Sequence, residues 1–264
     1  MRVVSIIATS ILVVGLAACG GGGGPSDLNL PSTPTTAPVP TTATTAPAST
    51  SGAAIGQPFA AALVAHARVP TLAVYDTPGS AHPVRRLANP WPAARNDPNV
   101  RVPQVFLVDA QRDGWVKVLL PVLPSTDGWV RAADVTVTKV GYAIRISLVS
   151  RQMIVLEHGR VLWQGPAAVG APASPTPTGR FSVRAKLAAP TTQTAYGPYA
   201  FALSSHSQVI TGFAGGDAEI AIHGTNDASI LGRAVTLGSV RISNDEIKKL
   251  ASVLPLGTPV DISS

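Results

Sequence analysis

Two polar residues stand sixteen positions apart near the C-terminus: His223, in Ile222-His223-Gly224-Thr225, and Ser239, in Gly238-Ser239-Val240-Arg241. Histidine is the side chain best suited to take up a proton near neutral pH. A serine hydroxyl attacks a carbonyl only if a base removes its proton during the attack. The pair therefore suits acyl transfer through a serine ester. Arg241 offers a planar fork of donors to a carboxylate. Gly238 lets the backbone come close beside Ser239. A thiol would be the easier nucleophile, because its reference pKa of about 8.5 lies nearer neutrality. The chain's single cysteine, Cys19, is far upstream, and it allows no intrachain disulfide. No third group that would fix the imidazole tautomer is visible in the sequence. No His, Cys or Asp cluster has metal-ligand spacing, and no glycine loop carries a phosphate-binding pattern, so no metal and no cofactor is expected. His66, His82 and His158 read as surface or turn residues.

These residues need strands to hold them. From Gly141 onward the pattern is β-rich: Ala143 to Val149 alternates, Gln152 to Glu157 follows, and His158-Gly159-Arg160 is a hairpin turn into Val161-Leu162-Trp163. Further strands are expected at 180–185, 199–203 and 219–223, with a last one returning at 256–262. One helix is marked by Ser243 as cap, Glu246 three residues on, and an apolar side of Ile247, Leu250, Ala251 and Leu254.

Ahead of it, 58–138 reads as a separate β-module. Leu72 to Tyr75 is a strand ended by Asp76-Thr77-Pro78-Gly79. Val105 to Val108 is an apolar run, and Gly-Trp-Val occurs twice, at 114–116 and 128–130. Those strands and the tail Ala132-Ala133-Asp134-Val135 resemble bacterial SH3-like modules. Trp115 and Trp129 read as core aromatics of a small barrel, with a ligand role as the alternative.

The N-terminus has a different character. Met1-Arg2 is a positive start and Val3 to Leu16 an apolar stretch too short to span a bilayer comfortably. Leu16-Ala17-Ala18-Cys19 resembles a bacterial lipoprotein lipobox, which implies a signal peptide over 1–18 and acylation of Cys19. An ordinary secretory signal cut near Ala18 is the alternative. Residues 20–24 are all glycine, and 25–54 are dominated by Pro, Thr, Ala and Ser with Asp27 the only charge. Such a segment cannot bury enough apolar area to offset its ordering entropy, so 19–57 is expected to be a lipidated, disordered tether. The expected location is outside the cytoplasmic membrane, held to it by lipid and facing the wall or periplasm. A net charge of +6 comes from scattered Lys and Arg with no basic stripe interleaved with aromatics, which excludes nucleic acid as the expected partner.

Several blocks in the C-terminal half converge. Thr176-Pro177-Thr178-Gly179-Arg180-Phe181 enters a strand. Tyr196-Gly197-Pro198-Tyr199-Ala200-Phe201 and Ser205-His206-Ser207 follow, and then come the His223 and Ser239 motifs. Their order and spacing resemble the L,D-transpeptidase catalytic domain of bacterial cell walls, the YkuD-like fold, over about 141–262. The resemblance implies a mainly β fold: a β-rich sandwich with one or two short helices, preceded by the small SH3-like barrel. It implies attack on a peptidoglycan tetrapeptide stem and transfer of the acyl group to an amine or to water. His223 matches the base, Gly238 the glycine, Thr236 the hydroxyl residue and Arg241 the last position of the family pattern. Tyr199, His206, Thr225 and Thr236 fall where the family lines its cleft. Two positions depart: Ser239 stands in place of cysteine and Leu237 in place of a second histidine. Oxygen in a site built for sulfur predicts weakened activity. The alternatives are a peptidoglycan-binding pseudoenzyme without catalysis and an L,D-carboxypeptidase-type hydrolase.

Overall fold

The first nine strands are β1 (Ala62–Ala67), β2 (Thr71–Val74), β3 (Arg85–Ala88), β4 (Trp91–Ala94), β5 (Asp97–Val102), β6 (Val105–Arg112), β7 (Trp115–Leu120), β8 (Thr126–Arg131) and β9 (Val135–Val140). The computed structural model describes residues 61–94, 97–122, 126–189, 194–210 and 218–264, all within one compact unit, Ser51–Ser264. The expected signal peptide, Cys19 and the tether lie outside the described residues.

Five of these strands form one sheet in the order β8-β7-β6-β1-β9, while β2-β3 and β4-β5 are separate two-stranded ribbons. Strand β7 shows why the tryptophans are not core. Val116, Val118 and Leu120 point inward, so Trp115 on the same strand stands half-buried on the other face, as does Trp129. The expectation that both tryptophans fill a barrel core is corrected accordingly. Trp115 packs T-shaped on the buried Tyr75, with ring centroids 5.0 Å apart, and Arg131 lies 5.4 Å from the Tyr75 ring centre. The hydrophobic filling comes from Ala65, Leu72, Val74, Phe106 and the inward valines.

The second half begins at Gly141. Its strands are β10 (Tyr142–Ser147), β11 (Gln152–Glu157), β12 (Arg160–Pro166), β13 (Val169–Gly170), β14 (Gly179–Ala188), β15 (Tyr199–His206), β16 (Glu219–His223), β17 (Ala234–Thr236), β18 (Val240–Arg241) and β19 (Pro259–Ser263), with one helix, α1 (Asn244–Val253), among the described residues. Eight of them make one sheet, β12-β11-β10-β19-β14-β15-β16-β18. The fold is mainly β, as the sequence pattern requires.

The β11-β12 hairpin turns on His158 (φ 48°) and Gly159 (φ 81°), two left-handed residues in the manner of a type I′ turn. The core runs under the sheet, with Ile144 and Ile146, Phe181 and Val183, Phe201 and Leu203, Ile220 and Ile222 facing Ile247, Leu250 and Leu254 of the helix. Ser243 caps that helix, its Oγ accepting from Glu246 N at 3.3 Å. The other end is closed by a group from the sheet: Lys186 Nζ donates to the Ala251 and Leu254 carbonyls at 2.9 and 2.7 Å. Burial lowers the pKa of that ammonium.

The two halves share a third apolar cluster of Ala62, Val64, Val105, Leu107 and Val140, against which Tyr142 and Leu256 pack. Gly257 lies in this seam. Its φ is +81°, and a Cβ there would meet Val64 Cγ1 at 2.7 Å and Val105 Cγ1 at 2.8 Å. A polar contact reinforces the seam: the Arg184 guanidinium of β14 stacks on the Trp91 ring of β4, 3.9 Å from its centre. Gly257→Ala therefore combines left-handed strain with overpacking, and is expected to lower unfolding free energy by roughly 2 kcal/mol in urea denaturation at neutral pH.

Candidate active site

Strand alternation decides which side chains meet. On β16, Ile220 and Ile222 are buried in the core, so Glu219, Ala221 and His223 share the opposite face. Strand β18 runs parallel to β16, with Ile222 opposite Val240 and His223 opposite Arg241. Val240 is core, so Arg241 stands on the His223 face. Ser239, one residue before β18, sits beside Ala221: its Oγ accepts from Ala221 N at 3.3 Å. Two strand steps therefore separate Ser239 from the level of His223, on the order of 8 Å between Cα atoms. His223 and Arg241 therefore share one sheet face, and Ser239 stands at the adjoining strand end beside Ala221.

The turn carrying Ser239 is clamped from within. Thr236 Oγ1 donates to the Ser239 carbonyl at 2.5 Å and accepts from Gly238 N at 3.2 Å. Gly238 has φ +113°, a left-handed conformation that a side chain resists, and a Cβ would meet Ile220 Cδ1 at 3.0 Å. From outside, Ser174 Oγ donates to the Thr236 carbonyl at 3.2 Å and Thr176 Oγ1 to the Gly238 carbonyl at 2.7 Å. Thr176 Oγ1 also accepts from Gly170 N at 2.8 Å. The loop before β14 is thus the outer brace of the nucleophile turn. Because Gly238 N–H already donates to Thr236, the amides of Leu237 and Ser239 are the remaining candidates for an oxyanion.

His223 is 2% exposed. Its Nδ1 lies 2.8 Å from the Gly224 carbonyl. A carbonyl can only accept, so Nδ1 carries the proton and Nε2 keeps its lone pair. The tautomer-fixing group that the sequence hides is thus a backbone carbonyl one residue on. Burial pushes the imidazole pKa down to about 4; the Arg241 charge pushes the same way, while the Gly224 and Tyr196 backbones oppose them. His223 is therefore neutral at pH 7. The Arg241 Nε is buried without a hydrogen-bond partner among the described residues.

The other predicted site residues are spread more widely. Thr236 is buried, with its hydroxyl committed to the turn. Thr225 is buried in the turn after His223, its Oγ1 accepting from Asp227 N at 3.1 Å. Tyr199 pairs next to Ala200, which stands opposite His223, so alternation turns the Tyr199 ring to the other side, where it packs on the core. His206 stands opposite Glu219, four residues before His223 and about 13 Å along the strand. It is buried, beside the half-buried Glu219, which also pairs with Arg184. Tyr199 and His206 are therefore not brought to the His223–Ser239 patch. Leu237 lies next to it with its side chain exposed.

Three residues given no role in the sequence reading stand on His223 or at the turn after it. Tyr196 packs T-shaped on the imidazole, ring centroids 4.9 Å apart. Asn226 Nδ2 donates to the Thr194 carbonyl at 3.4 Å, and Asn244 Nδ2 to Asn226 Oδ1 at 2.7 Å. Their signal was Gly197 and Gly224: a Cβ on either would strike Asn244 Oδ1.

The neutral buried imidazole ties stability to pH. Unfolded His223 titrates at 6.5 and folded His223 near 4, so between those values the unfolded chain binds more protons. The contribution of the neutral imidazole is complete above pH 6.5 and is lost as pH falls to 4, amounting to roughly 3 kcal/mol. Asp261, whose carboxyl burial pushes up, works the other way at the acid end. The difference between wild type and His223→Gln is therefore the quantity to measure: urea midpoints from pH 7 to 4 should fall more steeply for wild type.

The YkuD family, described as the L,D-transpeptidase catalytic domain, matches residues 141–262. Two proteins bearing the L,D-transpeptidase YkuD name, from Bacillus licheniformis and Bacillus subtilis, are each 32% identical, over 47% of this chain and 67% of their own length. Among solved structures, an L,D-transpeptidase from Mycobacterium tuberculosis aligns at 20% identity and TM-score 0.39 over 53% of this chain and 66% of that one. One from Enterococcus faecium aligns at 21% and 0.37, with this chain spanning half of its length. By its match over 141–262 and its identity to the Bacillus proteins, the chain belongs to the YkuD family of L,D-transpeptidases.

Proposed function

We propose that this chain is an exported cell-wall acyltransferase that acts on peptidoglycan stem peptides through an ester on Ser239. The observation that supports the proposal is the parallel pairing of β16 with β18, which sets Arg241 beside His223, with the Ser239 Oγ on the Ala221 amide two residues before the histidine. In this reading Ser239 Oγ attacks the stem carbonyl, and His223 Nε2 takes the hydroxyl proton during the attack. The same nitrogen returns that proton to the leaving amine of the terminal D-residue. An acceptor amine, or water, then cleaves the ester. Arg241 meets a stem carboxylate with its fork, and the Leu237 and Ser239 amides face the oxyanion. The N-terminal half serves as an SH3-like module, and acylated Cys19 with the tether through 57 holds both halves outside the membrane. No metal or cofactor takes part.

A second reading, a stem-binding protein without catalysis, is favoured by one observation. The position before Gly238 is the exposed, apolar Leu237, which can donate no proton and fix no imidazole.

Incubating the full chain with a tetrapeptide stem, and following D-residue release and adduct mass, separates the two. Acyl transfer predicts an adduct on wild type that vanishes in Ser239→Ala, with release slowed about 100- to 10,000-fold in His223→Ala. Binding alone predicts no adduct on wild type but one on Ser239→Cys. Because the base is already neutral, the acid limb of kcat/KM should lie near pH 4 rather than 6.5. A limb at 6.5 would mean that the buried imidazole is not the base.

A further inference from the structure

The Tyr196 side chain is 39% exposed, while the histidine beneath it is 2% exposed. An exposed aromatic ring over a buried imidazole is a cover, and the loop that carries it is held in several places. Gly197 N donates to the Thr194 carbonyl at 3.1 Å, and Thr194 Oγ1 donates to the Gly197 carbonyl at 3.0 Å. Tyr196 N donates to Thr194 Oγ1 at 3.3 Å. Thr194 is tied through Asn226 to Asn244, the first residue of α1. Gly197, at φ +64°, and Gly224 leave room for the Asn244 side chain between them. Helix, His223 turn and Tyr196 loop therefore form one fastened unit.

We infer that Tyr196 is a positioning residue: its ring, fixed over His223 by the Thr194–Asn226–Asn244 clamp, shuts water away from the imidazole and keeps it a neutral base for an oxygen nucleophile. The inference rests on the acyl-transfer reading for its purpose but not for its physics. A thiol nucleophile works well as a thiolate beside imidazolium. A serine needs the opposite, an imidazole free to accept. Every group around His223 opposes the imidazolium except the carbonyls of Gly224 and Tyr196. Among the described residues, Arg241 on β18 is the charged side chain that acts on it, and its sign disfavours a second cation. Asp227 in the following turn is occupied with Ser229, through its N–H and hydroxyl at 3.0 and 2.6 Å. The Tyr196 hydroxyl stays protonated, because burial raises its pKa. One effect of the ring runs the other way: an aromatic face attracts a cation, so the ring could instead stabilise imidazolium. The direction of change on removing it distinguishes the two.

The measurement is the titration of His223 in the free full chain, by NMR of labelled histidine, with His223→Gln assigning the signal among the five histidines. The wild-type midpoint is expected near pH 4. Tyr196→Ala should raise it by about one unit or more toward 6.5, a tenfold change in proton affinity per unit. Tyr196→Phe should leave it in place, because the ring and not the hydroxyl makes the seal. An unchanged or lowered midpoint in Tyr196→Ala overturns the inference, as does a Phe variant that moves as far as Ala. Should the Ala variant lose its fold in acid, Tyr196→Leu, with less cover and comparable reach, should show a smaller upward shift; no shift there is equally fatal. The titration needs no substrate, so it judges Tyr196 even if no acyl transfer is found. If the midpoint moves but the acid limb of turnover does not, the seal stands and the role of His223 as base falls.

Discussion

A two-residue parallel pairing governs the chemistry of this chain. Strand β18 is only Val240 and Arg241, yet its register against β16 determines where Ser239 lies, which way Arg241 points and what surrounds His223. So short a strand has little cohesion of its own and must be fastened on its other side. Arg241 does this through its backbone, exchanging hydrogen bonds with Ala168 at 2.8 and 2.9 Å. The preceding turn is held by the hydroxyls of Thr236, Thr176 and Ser174, each donating to a backbone carbonyl. Buried hydroxyl-to-carbonyl bonds of this kind contribute about 1 kcal/mol each and cost more than that when one partner is removed. The Ser239 turn is held because its backbone is satisfied from two directions, and Gly238 lies against Ile220 of the core.

That rigidity bears on the exchange of sulfur for oxygen. A cysteine tolerates loose geometry, since it can ionise before the substrate arrives. A serine must share its proton with the base at the moment of attack, so distance and tautomer both matter. The site supplies the tautomer with the Gly224 carbonyl and the neutral state by burial. Arg241 would steady a thiolate, but it also disfavours the imidazolium that a thiolate leaves behind. The balance among these groups suits a neutral acid–base pair better than an ion pair.

How much of this was legible in the sequence depended on the kind of signal. Strands with apolar alternation, such as β7, β10 and β16, could be read directly, and so could α1 from Ser243 and its apolar stripe. The β4-β5 ribbon could not: Pro92 and Pro98 interrupt it, and few of its residues are core-forming. Of the site, His223, Gly238 and Arg241 were singled out by their resemblance to the family pattern, with Ser239 at the position where that pattern has cysteine. Tyr199 and Tyr196 were not separable, because three residues of sequence say nothing of which face a ring takes until the register is known. His206 misled for a similar reason. Its place in the family pattern implied a cleft position, whereas the register with Glu219 puts it at the far end of the strand pair. The tautomer-fixing group could not be found at all by residue type, because it is a backbone carbonyl.

The far end of that strand pair bears on what the N-terminal half does for the catalytic sheet. Glu219 stands on the same face of β16 as His223 and holds Arg184, whose guanidinium lies over the Trp91 ring from the other half. Arg184 is almost buried, and a buried charge is tolerated only when it is paired and its remaining surface is covered. Glu219 supplies the pair and Trp91 supplies the cover, so the ribbon β4-β5 contributes to the electrostatics of a strand that it does not hydrogen-bond. The apolar seam at Val64, Val105 and Gly257 cannot do this, since it fixes distance but carries no charge. The two contacts together make the first half a structural part of the sheet face on which His223 lies, and not simply a spacer ahead of it.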